Sequence, residues 1–221
     1  MKFIIALLSI LLPWTIKRYL LQTFLGYSLS PDSYIGKSFV FPKNLEMAAG
    51  SRIGHLTICK GLDSIKLGEY GHIGHLNWIT GFPSNNTRHF QLEKNRFPAL
   101  IVEEHAAVTN RHLIDCTDTV RIGRFSTFAG FRSQILTHSI DLRANRQSCA
   151  PVEIGQYCFV GTQCVLVKGS KLPDKSVLGA GSILTKEHSE TGMLYSGNPA
   201  AIVREMDVSS GYFVRPRGFV D

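Results

Sequence analysis

Residues 154–184 read IGQYCF VGTQCV LVKGSK LPDKSV LGAGSI L, divided into sixes because six is the period of the stretch. Each six opens on an aliphatic residue: Ile154, Val160, Leu166, Leu172, Leu178 and Leu184. Four places on stands a small one, Cys158, Cys164, Ser170, Ser176 or Ser182, and glycine follows the aliphatic at 155, 161 and 179. A period of six is neither helical nor simply alternating. It fits a strand of about four residues and a tight turn, with three such units closing one triangular coil of a solenoid. The aliphatic fills the core, the small residue sits at the corner where bulk would clash, and glycine relieves the turn. Cys158 and Cys164 are thereby read as corner fillers, not ligands or nucleophiles.

The register continues backwards through Ile35, Phe41, Met47, Ile53 and Cys59, then Leu67, Ile73 and Ile79. It resumes at Val102, Val108 and Ile114, and again at Ile122, Phe128 and Gln134, where Cys59 and Gln134 are weak members. With Ile53 on face A, Cys59 on face B and Leu67 on face C, every step longer than six falls between faces B and C. One edge of the prism therefore carries all the insertions, two of them long, at 82–100 and 139–152. Loops held on a rigid scaffold are where function concentrates. The expected organisation is all-β: a helical segment over 1–30, the repeat over 31–188 and a tail over 189–221. Both ends of a solenoid need covers, which the first and last segments supply.

The chain has 221 residues, is 44% hydrophobic and carries a formal charge of +7. One main domain is the expectation for that length. A basic balance suits anionic partners, but no dense Lys/Arg run or nucleic-acid motif is present, so nucleic acid is not expected. Five cysteines, odd in number and without C-x-x-C spacing, argue against a disulfide framework or zinc knuckle and for reduced thiols in the cytoplasm. Residues 1–12 are nearly all apolar, then come Pro13, Lys17 and Arg18. The run is short for a membrane span and lacks a small-x-small cleavage site. An N-terminal helix, or two half-helices broken at Pro13, is expected over residues 1–26. They either lie on the inner membrane face with Lys17 and Arg18 near headgroups, or cap the β-domain.

The repeat resembles that of the hexapeptide-repeat acyltransferases. The C-terminal segments VLGAGSILTK (177–186) and SGNPAAIVR (196–204), with ILTHSID (135–141) before them, resemble the sugar and polysaccharide O-acetyltransferase branch. The resemblance implies a left-handed parallel β-helix, a homotrimer, and acetyl-CoA lying between adjacent prisms. It also implies acetyl transfer to a sugar or polysaccharide-biosynthesis acceptor, with no metal.

Transfer to a hydroxyl needs a base, and an imidazole near neutrality suits it. His138, at the mouth of the 139–152 insertion, matches the family histidine in position. Asp118 is four places after Ile114, as His138 is four after Gln134, so it is expected to orient the imidazole from one coil below. Asp115 and Asp141 compete for that role. His112 and Arg111, at the A–B edge, are candidate substrate contacts supplied by a neighbouring subunit, with Asp141 beside the base. The family pattern carries cofactor contacts onto Thr162, Ala180, Thr185, Lys186, Asn198 and Arg204. Thr162 and Ala180 stack in successive coils along the path of a pantetheine arm, and Lys186 and Arg204 face phosphates.

Three alternatives stand beside this reading: a non-enzymatic binding solenoid, an N-acetyltransferase for a nucleotide-linked amino sugar, and a zinc solenoid of carbonic anhydrase type. The last needs histidines five apart, and none of the eight are so spaced. The sequon Asn85-Asn86-Thr87 is read as chance.

Overall fold

The computed structural model describes residues 1–86, 88–218 and 220. Thr87, and with it the sequon, lies outside the described residues, as do Phe219 and Asp221 in the tail. Among the described residues the strands form three largely parallel sheets, whose order steps through the chain by one coil at a time. Face B shows the stacking: Val40, Cys59, Ile79, Ile114, Ile135, Leu166 and Leu184 pair in register from coil to coil. All seven are buried, as are the corner residues Cys158, Cys164, Ser170, Ser176 and Ser182. All five cysteines are free.

Two register members need correction. Gln134 points outward and Ile135 fills the core; likewise Phe41 is only partly buried and Val40 takes the inward place. The corner after Phe128 holds one residue more than six-spacing allows, and in a strand a one-residue shift exchanges the two faces.

Two corners repeat a left-handed turn residue. Leu56, Leu76, Arg111, Arg132 and Gln163 at the A–B edge, and Tyr70, His105, Phe125, Tyr157 and Lys175 at the C–A edge, all have φ between 54° and 60°. Such residues cost backbone energy. Along the C–A edge, ring stacking of Tyr70 on His105 and Phe125 on Tyr157, at 4.9 and 4.7 Å, offsets part of it.

The ends are covered as a solenoid requires. Helices Lys2–Leu8 and Trp14–Leu20, with Pro13 at the second N-cap, lie on the first coil. Phe3 packs edge-on against Phe39 and Phe41, and Trp14 against Tyr34. Lys17 does not face headgroups. It is buried, and its Nζ donates to Gly36 O and Ser38 O at 2.8 and 3.1 Å. Burial lowers its pKa to about 8. No described helix is long and apolar enough to cross a membrane. At the other end, Met193–Gly197 extends face A and Ala200–Glu205 folds back on it antiparallel. The tail then runs back down the prism. Tyr212 donates to Cys158 O at 2.8 Å, and Arg215 lies over Tyr212 and donates to Phe125 O.

The B–C edge carries the insertions. The first occupies 81–98, since Ala99–Val102 already belongs to face C. The second is an antiparallel hairpin, His138–Asp141 against Arg146–Cys149.

Candidate functional site

His138 opens the hairpin directly after the face-B strand Gln134–Leu136. Its Nδ1 lies 2.7 Å from Asp115 Oδ2. The carboxylate that reaches the imidazole is thus Asp115, not Asp118. Asp115 is buried and heavily bonded. Thr117 donates its N–H and hydroxyl to Oδ1, at 3.2 and 2.6 Å, and Thr137 donates both to Oδ2, at 2.9 and 2.8 Å. Burial alone would raise its pKa. The bonds from His138, Thr117 and Thr137 outweigh that and hold it below the usual carboxylate value. An acceptor-only carboxylate fixes the proton of His138 on Nδ1 and leaves the Nε2 lone pair outward. The ring is part-exposed, with 29% of its side chain accessible.

Asp118 has a different task. Its Oδ1 accepts the N–H groups of Phe97 and Thr119, at 3.2 and 2.7 Å, and it meets the thiol of Cys149, whose pKa burial pushes up to about 12. It ties the end of the first insertion to the hairpin. Arg96 ties the beginning: buried, it donates to Phe82 O, Pro83 O and Thr117 O, and its guanidinium lies 5.0 Å over Phe90. Phe82 and Phe90 each present an edge-on contact to the His138 ring, at 5.8 and 5.6 Å. A cleft of about 320 Å³, bounded by Arg88, His89, Phe90 and Arg146, opens beside them between loop and hairpin. That volume is within the range of small-molecule sites.

Sequence reasoning missed Phe82, Phe90 and Arg96. The only signal was their place in an insertion on the histidine's edge. Asp141 accepts the N–H groups of Arg143 and Ala144 at 3.0 and 3.1 Å, closing the hairpin turn rather than facing the base. His112 is buried at the A–B edge with both ring nitrogens occupied. Nδ1 accepts Ser133 N–H at 3.2 Å and Nε2 meets Thr109 Oγ1 at 2.9 Å. Burial lowers its pKa to about 4, so it is a neutral structural histidine with nothing left for a substrate. Arg111 is exposed at the same edge, away from His138.

Thr162 and Ala180 also stand on the A–B edge, one coil apart. Gly181 donates to Thr162 O at 2.9 Å, and a Cβ on Gly161 would lie 2.7 Å from Ala180 N. The coils approach closely there. Thr185, Lys186, Asn198 and Arg204 are exposed around the closing hairpin, and neither cation is in an ion pair among the described residues. Among those residues, no group of three or more His, Cys, Asp or Glu is placed to hold a metal ion.

The two edges border face B, and its outward row differs from that of face C. Face C presents Glu46, Lys66, Ile101, Arg121, Glu153 and Lys171, mostly charged and including the pairs Lys66–Glu46 and Lys171–Glu153. Face B presents Ile58, Trp78, Leu113, Gln134, Val165 and Ile183 in register, with Trp78 46% and Leu113 42% exposed.

No family model matches the chain. Over 68 residues it is 34% identical to the galactoside O-acetyltransferase of Escherichia coli, which is 30% of this chain and 33% of that protein. The match thus spans about a third of the curated relative's length. A Bacillus cereus protein assigned as an acetyltransferase superposes with a TM-score of 0.54 at 14% identity, over 80% of this chain and 86% of that one. A hexapeptide-repeat containing acetyltransferase of Vibrio cholerae superposes with a TM-score of 0.46 at 16% identity, over 92% and 87%. The superposition on the Bacillus cereus protein shows the fold, in keeping with the six-residue period of the sequence.

Proposed function

We propose that this protein is a hexapeptide-repeat, acetyl-CoA-dependent O-acetyltransferase acting on a sugar or polysaccharide-biosynthesis acceptor, with His138 as general base. The observation that carries the reading is the His138–Asp115 pair, 2.7 Å apart on the insertion-bearing edge, with Phe90 standing between the imidazole and the cleft. The acceptor hydroxyl lies in the cleft between loop and hairpin, where Phe82 and Phe90 wall the imidazole from water. Nε2 takes the hydroxyl proton as the acceptor oxygen forms its bond to the acyl carbon, and returns it to the departing thiolate. Asp115 stabilises the imidazolium between those events. A base so placed contributes roughly 10²–10⁴ in rate.

The acyl donor is assigned to the A–B edge. Thr162 and Ala180 line an extended arm by backbone and hydroxyl contacts. Thr185 and Asn198 shape its far end, and Lys186 and Arg204 neutralise phosphates. Within one prism that edge and His138 are separated by face B. We assign the chain to a left-handed homotrimer in which the apolar outer row of face B is covered and one chain's A–B edge meets the next chain's B–C edge. The charged row of face C stays in water.

The test is thiol release from acetyl-CoA by purified protein over a panel of sugar acceptors, with His138→Ala beside wild type and the assembly mass measured by sedimentation. Acceptor-dependent release that falls at least 10²-fold in the variant, in a trimer, supports the reading. Failure to bind or turn over acetyl-CoA refutes it in favour of a binding solenoid.

A further inference from the structure

The N-terminal helices bury Ile5, Trp14, Leu21 and Leu25 against the protein, yet they leave more large apolar side chains outside than a water-exposed cap needs. In Lys2–Leu8 and the turn that follows, the small residues Ala6 and Ser9 are buried against the protein. The large residues Phe3, Ile4, Leu7, Leu8 and Leu11 are 49–78% exposed. Ile16, Tyr19 and Phe24 add to the exposed apolar surface of the same segment. Contiguous apolar surface of this kind marks an interaction site.

Charge decides which partner fits. The first 31 residues hold no Asp or Glu; of their three cations Lys17 is buried, Lys2 is exposed, and Arg18 is part-exposed with its guanidinium donating to Pro31 O at 2.7 Å. Lys37 and Lys43, exposed on the first coil, add positive charge at the same end. The first acid of the chain, Asp32, is held by Ser30 Oγ and Gly50 N–H at 2.6 and 3.0 Å. A second copy of this chain would bring cations against cations. An anionic bilayer offers both apolar depth and negative charge at the headgroups.

We propose that residues 2–24 seat the protein on the surface of an anionic membrane, lying in the interface without crossing it. Lys17, bonded to Gly36 O and Ser38 O, locks the second helix to the first coil, so the seat also orients the prism. The histidine then stands above the lipid at a defined height. Phe39–Phe41 is the first strand of face B and Gln134–Leu136 the fifth, so four coil spacings of about 4.8 Å put it about 19 Å above the first coil, and the helix layer adds to that height. A groove along the same edge runs upward from Lys2 and Phe41 past Leu62 to Pro83 and Asn85 of the first insertion. An acceptor carried by the membrane would meet His138 along that edge; this last point rests on the acetyltransferase reading, the membrane seat does not.

The test is co-sedimentation of the full chain with vesicles of phosphatidylcholine alone or mixed with phosphatidylglycerol. Wild type should bind the mixed vesicles, less so at high salt. A Leu7→Glu/Leu8→Glu variant should lose at least tenfold in affinity while melting like wild type. Lys2→Glu should weaken binding to the mixed vesicles alone. Wild type remaining in the supernatant, or a variant that binds equally, overturns the proposal. If wild type ignores vesicles and the double variant instead dissociates an oligomer, a second copy covers the face. Vesicle binding that splits as expected in a protein without acetyl-CoA turnover would leave the seat standing and remove the acetyltransferase reading.

Discussion

Replacing Asp115 with asparagine keeps the shape of the site and changes only what it can accept. In the wild type Oδ2 receives the N–H of Thr137 and the Nδ1–H of His138, and Oδ1 receives the N–H of Thr117. An amide has one acceptor oxygen. If its NH₂ faces Thr117, a buried N–H loses its partner, at about 1–3 kcal/mol of stability. If it faces His138, the imidazole relieves the clash by moving its proton to Nε2, and the lone pair that accepts the hydroxyl proton is gone. Either arrangement removes stabilisation of the imidazolium. We expect kcat to fall about 10²–10⁴-fold, or roughly 3–5 kcal/mol, with KM for acetyl-CoA little changed. The assay is thiol release under saturating donor, with Asp118→Asn as the control. Because Asp118 bonds Phe97 and the Cys149 thiol rather than the imidazole, its variant should change acceptor KM more than kcat. A Asp115→Asn variant within tenfold of wild-type kcat, beside an Asp118→Asn variant that collapses, would refute the reasoning.

Three further outcomes are expected. His112→Ala should cost about 3 kcal/mol by thermal melting, through the cavity and the unpaired Ser133 N–H, and leave kcat intact. Arg96→Met frees Phe82 O, Pro83 O and Thr117 O, so the first insertion should loosen and acceptor KM rise about tenfold, while donor KM stays put. Lys17 has its pKa lowered to about 8 from 10.5. Between those values the unfolded chain holds a proton that the folded chain has released, so stability rises with pH by up to about 1.4 kcal/mol per unit. Denaturant titrations of Lys17→Met should lack that rise between pH 8 and 10.5.

The coil, its three faces and the edge carrying the insertions were legible in the sequence because each rests on a period that backbone geometry enforces. Buried aliphatics every six residues leave no other arrangement for Ile154 through Leu184. His138 was legible for a related reason: a titratable residue at the point where the period breaks. Arg96, Phe82 and Phe90 were not. They act from an aperiodic insertion, and what brings them to His138 is Arg96, near the end of the loop, bonding the carbonyls of Phe82 and Pro83 at its start, a contact between residues with no fixed spacing. Lys17 failed in the opposite sense. A lysine beside an apolar run suggested headgroups, but the carbonyls of Gly36 and Ser38 at the first coil of the solenoid claim it first.

The choice between Asp118 and Asp115 turns on a single residue. Counting four places from Gln134 to His138 and four from Ile114 to Asp118 puts the two at one corner only if Gln134 and Ile114 are equivalent. They are not: Ile114 pairs with Ile135, and Gln134 pairs with Leu113. Three places from Ile135 reach His138, and three from Ile114 reach Thr117, whose N–H and hydroxyl bond Asp115 Oδ1. The aspartate one residue past Ile114 is then the one turned toward the corner from below. The slip was visible beforehand as chemistry: an inward glutamine in a dry core would need buried partners for its amide, while Ile135 next to it needs none. Where a repeat offers a polar residue and an adjacent aliphatic for one core position, taking the aliphatic moves every later contact by one, and here it moves the imidazole's partner from a loop tie to a buried carboxylate.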